Sequence, residues 1–226
     1  MDQNNPLVEY QKQCEYCGNP PGVRCESVPS NCPYRIEVPN VLDFRYVIKY
    51  DIFDNSYPHW SRKWEYPLVK QICRRLLSDT KNPKMHNSSW GFDTEHHKRF
   101  KTELENEYGV FNVLSTDILS SEEINTEVYN VLMSPPNSYL NAFDCVFNIS
   151  AIEEISGDHV TIVKNLFSQV KPGGFLIITF DLPGMQLSKL EEWLGQSISK
   201  DNFNDRIIGH GQWFEGLNVG LLVLKK

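Results

Sequence analysis

The chain has 226 residues and a mass of 26.2 kDa, is 40% hydrophobic and 23% charged, and has a mean hydropathy of −0.42. That is the make-up of an ordinary globular chain with one core and room for a small appendage. No apolar run approaches the roughly 20 residues a membrane span requires, and no charged-then-apolar leader is visible, so a cytoplasmic protein without membrane contact is expected. The net charge is −7 with no dense Lys/Arg stripe, which argues against general binding to nucleic-acid phosphates.

Six cysteines in that setting stay thiols or bind metal. Cys14, Cys17, Cys25 and Cys32 fall close together near the N-terminus, opening with the turn Cys14-Glu15-Tyr16-Cys17-Gly18. Two thiolates at that spacing can reach one ion. The second pair, Cys25 and Cys32, is wider than a zinc ribbon uses. Asn19-Pro20-Pro21-Gly22 between the pairs excludes helix and central strand. Two readings stand: a four-thiolate metal site, zinc rather than iron–sulfur, or a flexible arm of free thiols. Either way residues 1–40 form a short Cys-rich arm and 41–226 the main domain. Cys73 and Cys145 lie in apolar segments and are expected as small core residues.

Val41–Phe53 is rich in apolar residues without a clean period and is taken as a packing arm. Leu68, Val69, Ile72 and Leu76 recur at helical spacing after Pro67, which suits a first helical position. A short strand over Pro83–Asn87 runs into Ser88-Ser89-Trp90-Gly91. Asp93 or Thr94 caps the next helix, with Phe100, Leu104 and Tyr108 on one stripe and Gly109 at its end. Val110–Ser115 is the following strand, stopping at Asp117. Farther on, Phe143–Ile149 is a buried strand, and a helix from about Asp158 turns Val160, Val163, Leu166, Phe167 and Val170 inward. Lys171-Pro172-Gly173-Gly174 breaks that helix before the strand Phe175–Phe180. A helix near Leu187–Leu194 and a strand over Leu217–Leu224 close the chain. Strands apolar on both faces, alternating with amphipathic helices, predict an α/β fold with a doubly wound, mostly parallel sheet.

Two segments carry a resemblance. Ala142-Phe143-Asp144-Cys145-Val146-Phe147-Asn148-Ile149-Ser150-Ala151-Ile152-Glu153-Glu154-Ile155 is followed, one helix later, by Lys171-Pro172-Gly173-Gly174-Phe175-Leu176-Ile177-Ile178-Thr179. This pairing resembles class I S-adenosylmethionine-dependent methyltransferases, with their Rossmann-like fold. Pro135-Pro136-Asn137-Ser138 looks like the lead-in to the same strand, and Trp64-Glu65-Tyr66-Pro67 is similar to a segment some members carry before the first strand. Asn218–Val223 would be the family's final strand. The resemblance covers roughly residues 60–226.

It implies S-adenosylmethionine as cofactor and places cofactor contacts at Tyr66, in the loop Asn87, Ser88, Ser89, Trp90 and Gly91, at Asp117 for the ribose hydroxyls, at Asn130 and Val131 near adenine, and at Asn148, Ile149 and Ser150. Asp117 has a second reading, as a cap for the segment beyond it. The family's glycine-rich loop is reduced here to one glycine, so Trp90 must swing away from the ligand or cover it. Where many members carry Glu-His, this chain has Glu153-Glu154; Glu154 takes the histidine's place as candidate base, and dipole-favouring acids at a helix start are the alternative. Of His96 and His97, one is expected to face the sheet or cofactor edge and the other water. The activity implied is methyl transfer to an oxygen or nitrogen of a small molecule or glycan precursor. The rival is a catalytically inactive interaction protein of the same fold with a metal-stapled N-terminus. A nicotinamide-dependent oxidoreductase would need a glycine-rich phosphate-binding turn that is absent.

Overall fold

The computed structural model describes residues 39–42, 54–57, 61–91, 94–182, 184–198 and 218–226. Cys14, Cys17, Cys25 and Cys32 lie outside the described residues, as do Asp93 and positions 43–53 of the expected packing arm.

The strands are β1 (Asn40–Val41), β2 (Met85–Ser88), β3 (Val113–Asp117), β4 (Thr126–Val128), β5 (Phe143–Ile149), β6 (Val170–Leu182) and β7 (Asn218–Lys225). The helices are α1 (Arg62–Leu76), α2 (Glu95–Tyr108), α3 (His159–Gln169) and α4 (Leu187–Leu194). The strands form one sheet in the order β1-β7-β6-β5-β2-β3-β4. The β4–β3, β3–β2, β2–β5 and β5–β6 pairs are parallel; β7 runs antiparallel to both β6 and β1. This is the expected doubly wound, Rossmann-like α/β sheet.

Its two faces bury different side chains, as period-two alternation requires. Cys145, Phe147 and Phe175 turn to the layer of α1 and α2, with Leu68, Ile72, Phe100 and Leu104. Val146, Leu176 and Ile178 turn to the layer of α3 and α4, with Val163, Leu166 and Leu190. Cys73 and Cys145 are fully buried, their sulfurs 3.9 Å apart.

Several boundaries differ from expectation. Pro67 lies inside α1, which begins five residues earlier at Arg62. A proline there cannot bond to the carbonyl four residues back; that carbonyl, on Lys63, instead accepts the N–H of Asp54 at 2.8 Å. Lys171–Gly174 does not interrupt the sheet: β6 runs through it, with a register irregularity between Phe143 and Cys145 of β5. Val110–Asn112 is a 3-10 turn, so β3 starts at Val113. Strand β4 was not expected at all. Gly109 ends α2 as foreseen, with φ +96°, and Asp158 caps α3 by accepting the Thr161 N–H at 3.1 Å.

Candidate functional site

Strand order reverses between β2 and β5: β3 and β4 lie on one side, β6 and β7 on the other. Diverging loops at such a switch point leave a crevice beyond the carboxyl ends of the strands. A cavity of about 360 Å³ opens there, within the roughly 300–1,000 Å³ span of small-molecule sites.

Tyr66, Asn87, Ser89, Trp90, Gly91, Asp117, Asn130, Val131, Ile149, Ser150 and Glu154 all line this cavity. Ser88 and Asn148 do not. Ser88 ends β2 and Asn148 is the next-to-last residue of β5; they are register partners, buried behind the lining, where Asn148 Nδ2 donates to the Ser88 carbonyl at 3.2 Å. Ser88 Oγ and Asn148 Oδ1 have no hydrogen-bond partner among the described residues. Sequence reasoning missed Arg62, Phe100, Ile118, Tyr129 and Leu132 on the wall. His97 is also on the wall, while His96 is half-buried beside it and Tyr66 instead of facing water.

The turn after β2 has glycine-like geometry although Gly91 is its one glycine. Ser89 has φ +54° and Gly91 φ +64°, both left-handed. The Trp90 N–H bonds the Thr116 carbonyl at 3.1 Å and the Gly91 N–H bonds Asp117 Oδ2 at 3.0 Å, tying the turn to the end of β3. A side chain at Gly91 is disfavoured on two counts. Its φ disfavours a side chain, and a Cβ would lie 2.6 Å from the His97 ring, whose Nδ1 donates to the Gly91 carbonyl. Ser89 carries the strain of a left-handed residue with a Cβ, about 1–2 kcal/mol. Ser89→Gly should therefore raise stability by about 1 kcal/mol in urea denaturation; an unchanged midpoint would show that the serine hydroxyl offsets the strain.

Asp117 takes the capping part locally. Its Oδ2 holds the turn, and its Oδ1 accepts the Leu119 N–H at 3.4 Å. A carboxylate has about four acceptor positions, so two remain for a ligand.

The opposite end of the cavity is charged. Arg62 and Ser150 line it; Glu65 lies beneath, completely buried. Glu65 receives hydrogen bonds from Arg62, from Ser150 Oγ and from Thr179 Oγ1 at 2.5 Å. Burial works to raise its pKa, but the guanidinium and the two hydroxyls prevail and hold it below the usual carboxylate range. Ser150 is itself left-handed, φ +39°. Beside this pair, burial pushes Glu153 up to about 7 and Asp181 up to about 6, and the Asp181 N–H bonds Glu153 Oε1 at 2.8 Å.

The remaining wall is aromatic and apolar. Tyr66 stacks on Phe100 at 4.0 Å between centroids, with 12° between planes. The segment carrying Tyr129, Asn130, Val131 and Leu132 is pinned from α3: Asn165 Nδ2 donates to the Val131 and Met133 carbonyls at 2.9 and 3.0 Å, and Gln169 reaches the Tyr129 hydroxyl at 3.4 Å. Gln169 also accepts from His86 Nδ1 at 2.8 Å, while His86 Nε2 accepts from Thr116 Oγ1 at 2.8 Å. Burial lowers the His86 pKa to about 4, so the ring is neutral and that tautomer is fixed. Among the described residues no group of three or more His, Cys, Asp or Glu is placed to hold a metal.

No protein-family model matches this sequence, and no curated protein matches it. Solved structures do. The cyclase SpnF is 11% identical, with 72% of this chain and 82% of that chain covered and a TM-score of 0.47. An S-adenosylmethionine-dependent methyltransferase from Mesorhizobium loti is 10% identical over 69% and 96%, TM-score 0.45. Another from Archaeoglobus fulgidus is 13% identical over 74% and 98%, TM-score 0.44. The fold assignment rests on the strand order and the reversed β7.

Proposed function

We propose that this chain binds S-adenosylmethionine in the cavity at the switch point and transfers its methyl group to an oxygen or nitrogen of a small-molecule or glycan-precursor acceptor. The observation that carries this reading is the meeting of the left-handed Ser89–Gly91 turn with the Asp117 carboxylate at the ends of the neighbouring strands β2 and β3. Together they offer backbone and carboxylate acceptors where a hydroxylated ligand would sit.

The residues fit the cofactor's parts. Arg62 supplies a cation for a carboxylate, Asp117 supplies acceptors for paired ribose hydroxyls, and Ile118, Val131 and Leu132 supply apolar surface for a flat base. S-adenosylmethionine brings an electrophilic sulfonium methyl, so positioning, more than acid–base power, is asked of the protein. Trp90 and Phe100 close the wall against water. Glu154, on the 3-10 turn Ile152–Glu154 after β5, would take the acceptor's proton as its oxygen or nitrogen is methylated.

Calorimetric titration of the full chain with S-adenosylhomocysteine, with NAD as control, tests the reading. Micromolar binding of the former alone supports it. No binding by folded protein overturns it in favour of a catalytically inactive interaction protein. Asp117→Ala should weaken that binding by roughly 1.5–3 kcal/mol, the scale of hydrogen bonds to a charged group. Asp117→Asn, which keeps an acceptor for Gly91, should lose less. Unchanged affinity in both would remove Asp117 from the site.

A further inference from the structure

Between Lys101 and Lys164 the sequence contains neither lysine nor arginine, while Glu103, Glu105, Glu107, Asp117, Glu122, Glu123 and Glu127 fall in its first half. The same stretch builds β3 and β4, one margin of the sheet. It also carries most of the strongly exposed large apolar side chains of the described residues. Phe111, Ile118, Leu119, Ile124, Val128 and Met133 are each more than half exposed. Isolated exposed apolar residues are ordinary, but a concentration on one margin marks an interaction surface.

Among the described residues strand β4 ends the sheet order and pairs with β3 alone, so no strand lies along its outer edge. The Asn125 carbonyl accepts from Ser115 and the Tyr129 N–H donates to Asp117, so the residues of that parity face β3. In a parallel ladder the alternate residues, Thr126 and Val128, turn their N–H and C=O groups outward. Natural edges are commonly guarded by lysine or proline; residues 117–133 contain neither.

We infer that the β4 edge is a docking surface for an extended, basic–apolar segment of a partner protein, which adds to the sheet as an eighth strand. Val128 and the exposed apolar side chains near it in sequence receive its apolar side chains, and Glu122, Glu123 and Glu127, all exposed, receive its cations. Charge selects the occupant. A second copy set edge to edge would oppose these acids with the same acids; Lys98, 3.6 Å from Glu123, is already ion-paired. Strand addition takes its affinity from main-chain hydrogen bonds and its selectivity from the alternating side chains. Ile118 belongs both to this surface and to the cavity wall, so the docked segment lies beside the cavity. The inference does not depend on methyl transfer.

The test uses the full chain and three labelled, end-blocked nonapeptides: alternating Lys-Val, alternating Glu-Val, and Lys-Val with N-methyl groups on one hydrogen-bonding edge. Fluorescence anisotropy at low salt should show saturable binding of Lys-Val. The N-methylated and Glu-Val peptides should bind at least tenfold more weakly, and added salt should weaken Lys-Val binding. Glu122→Lys with Glu123→Lys, surface changes that leave the core untouched, should also cost at least tenfold. Val128→Pro should do the same without removing a bond to β3. Absence of Lys-Val binding, equal binding of Glu-Val, or indifference to N-methylation would each overturn the inference. So would a dimer seen by sedimentation and abolished by Val128→Pro, which would give the edge to a second copy.

Discussion

Replacing Glu65 with leucine should lower the unfolding free energy by about 3–5 kcal/mol, because it strands the Arg62 guanidinium in the interior without its counter-charge. The side chains of Arg62 and Glu65 are 12% and 0% exposed, and among the described residues the guanidinium's further contacts are the Ser61 hydroxyl and the Ser150 carbonyl, each at 3.4 Å, and Tyr66. The double variant Arg62→Met, Glu65→Leu removes both charges and should return to within about 1–2 kcal/mol of the parent, since a buried pair contributes little net stability beyond a packed apolar substitute. Urea denaturation of the three proteins reads this directly. A double variant as weak as the single one would assign the loss to the Ser150 and Thr179 hydroxyls, which Glu65 also satisfies. The pair should further make the fold acid-sensitive. The folded pKa of Glu65 is depressed, so its contribution is present above the ordinary carboxylate range and lost as pH falls through the folded value.

Glu153 should act in the opposite sense. Burial raises its pKa from 4.5 to about 7, with Asp181 and Glu65 adding repulsion. A raised carboxyl contributes stability that is complete below its unfolded pKa and lost as pH rises through the folded one. The fold should therefore weaken between about pH 4.5 and 7, by about 3 kcal/mol for the shift involved, with Asp181, raised to about 6, titrating in the same window. Glu153→Gln keeps an acceptor for the Asp181 N–H and removes the charge. Its thermal midpoint should exceed the parent's at pH 8 and match it near pH 4. Equal midpoints at pH 8 would show that the carboxylate is accommodated at no cost.

The alternating apolar strands and helices made the sheet legible, because burial on both faces writes a pattern that only such a layer needs. Asp158 and Gly109 marked helix ends by their capping chemistry. Pro67 misled because its usual place is the first turn; the Asp54 N–H that relieves it comes from a segment without periodic signal. Strand β4 escaped notice since Thr126-Glu127-Val128 is short and largely exposed, with no buried face to impose alternation. At the cavity, the resemblance points to Tyr66, Ser89, Asp117 and Ser150, and all four line it. Arg62 and Glu65 could not be named, for an i,i+3 pair on a helix has the same sequence whether it faces water or a core. Ser88 and Asn148 alternate to the far side of their strands, which a motif comparison does not resolve.

The position of β7 has a consequence for refolding. This strand lies between β6 and β1, and it carries the pairing of Asn40 with Lys225. Among the described residues β1 pairs with β7 alone, so until residues 218–226 dock, β1 is unpaired and the outer margin of β6 stays open. The apolar faces of Leu176, Ile178 and Phe180 can meet their helices beforehand, but that side of the sheet cannot close. Joining Asn40 to Lys225 brings together segments far apart in sequence, a slow kind of contact. A refolding chain whose β7 has not yet docked would be the form most exposed to wrong pairing, and the one a chaperone would have most reason to hold.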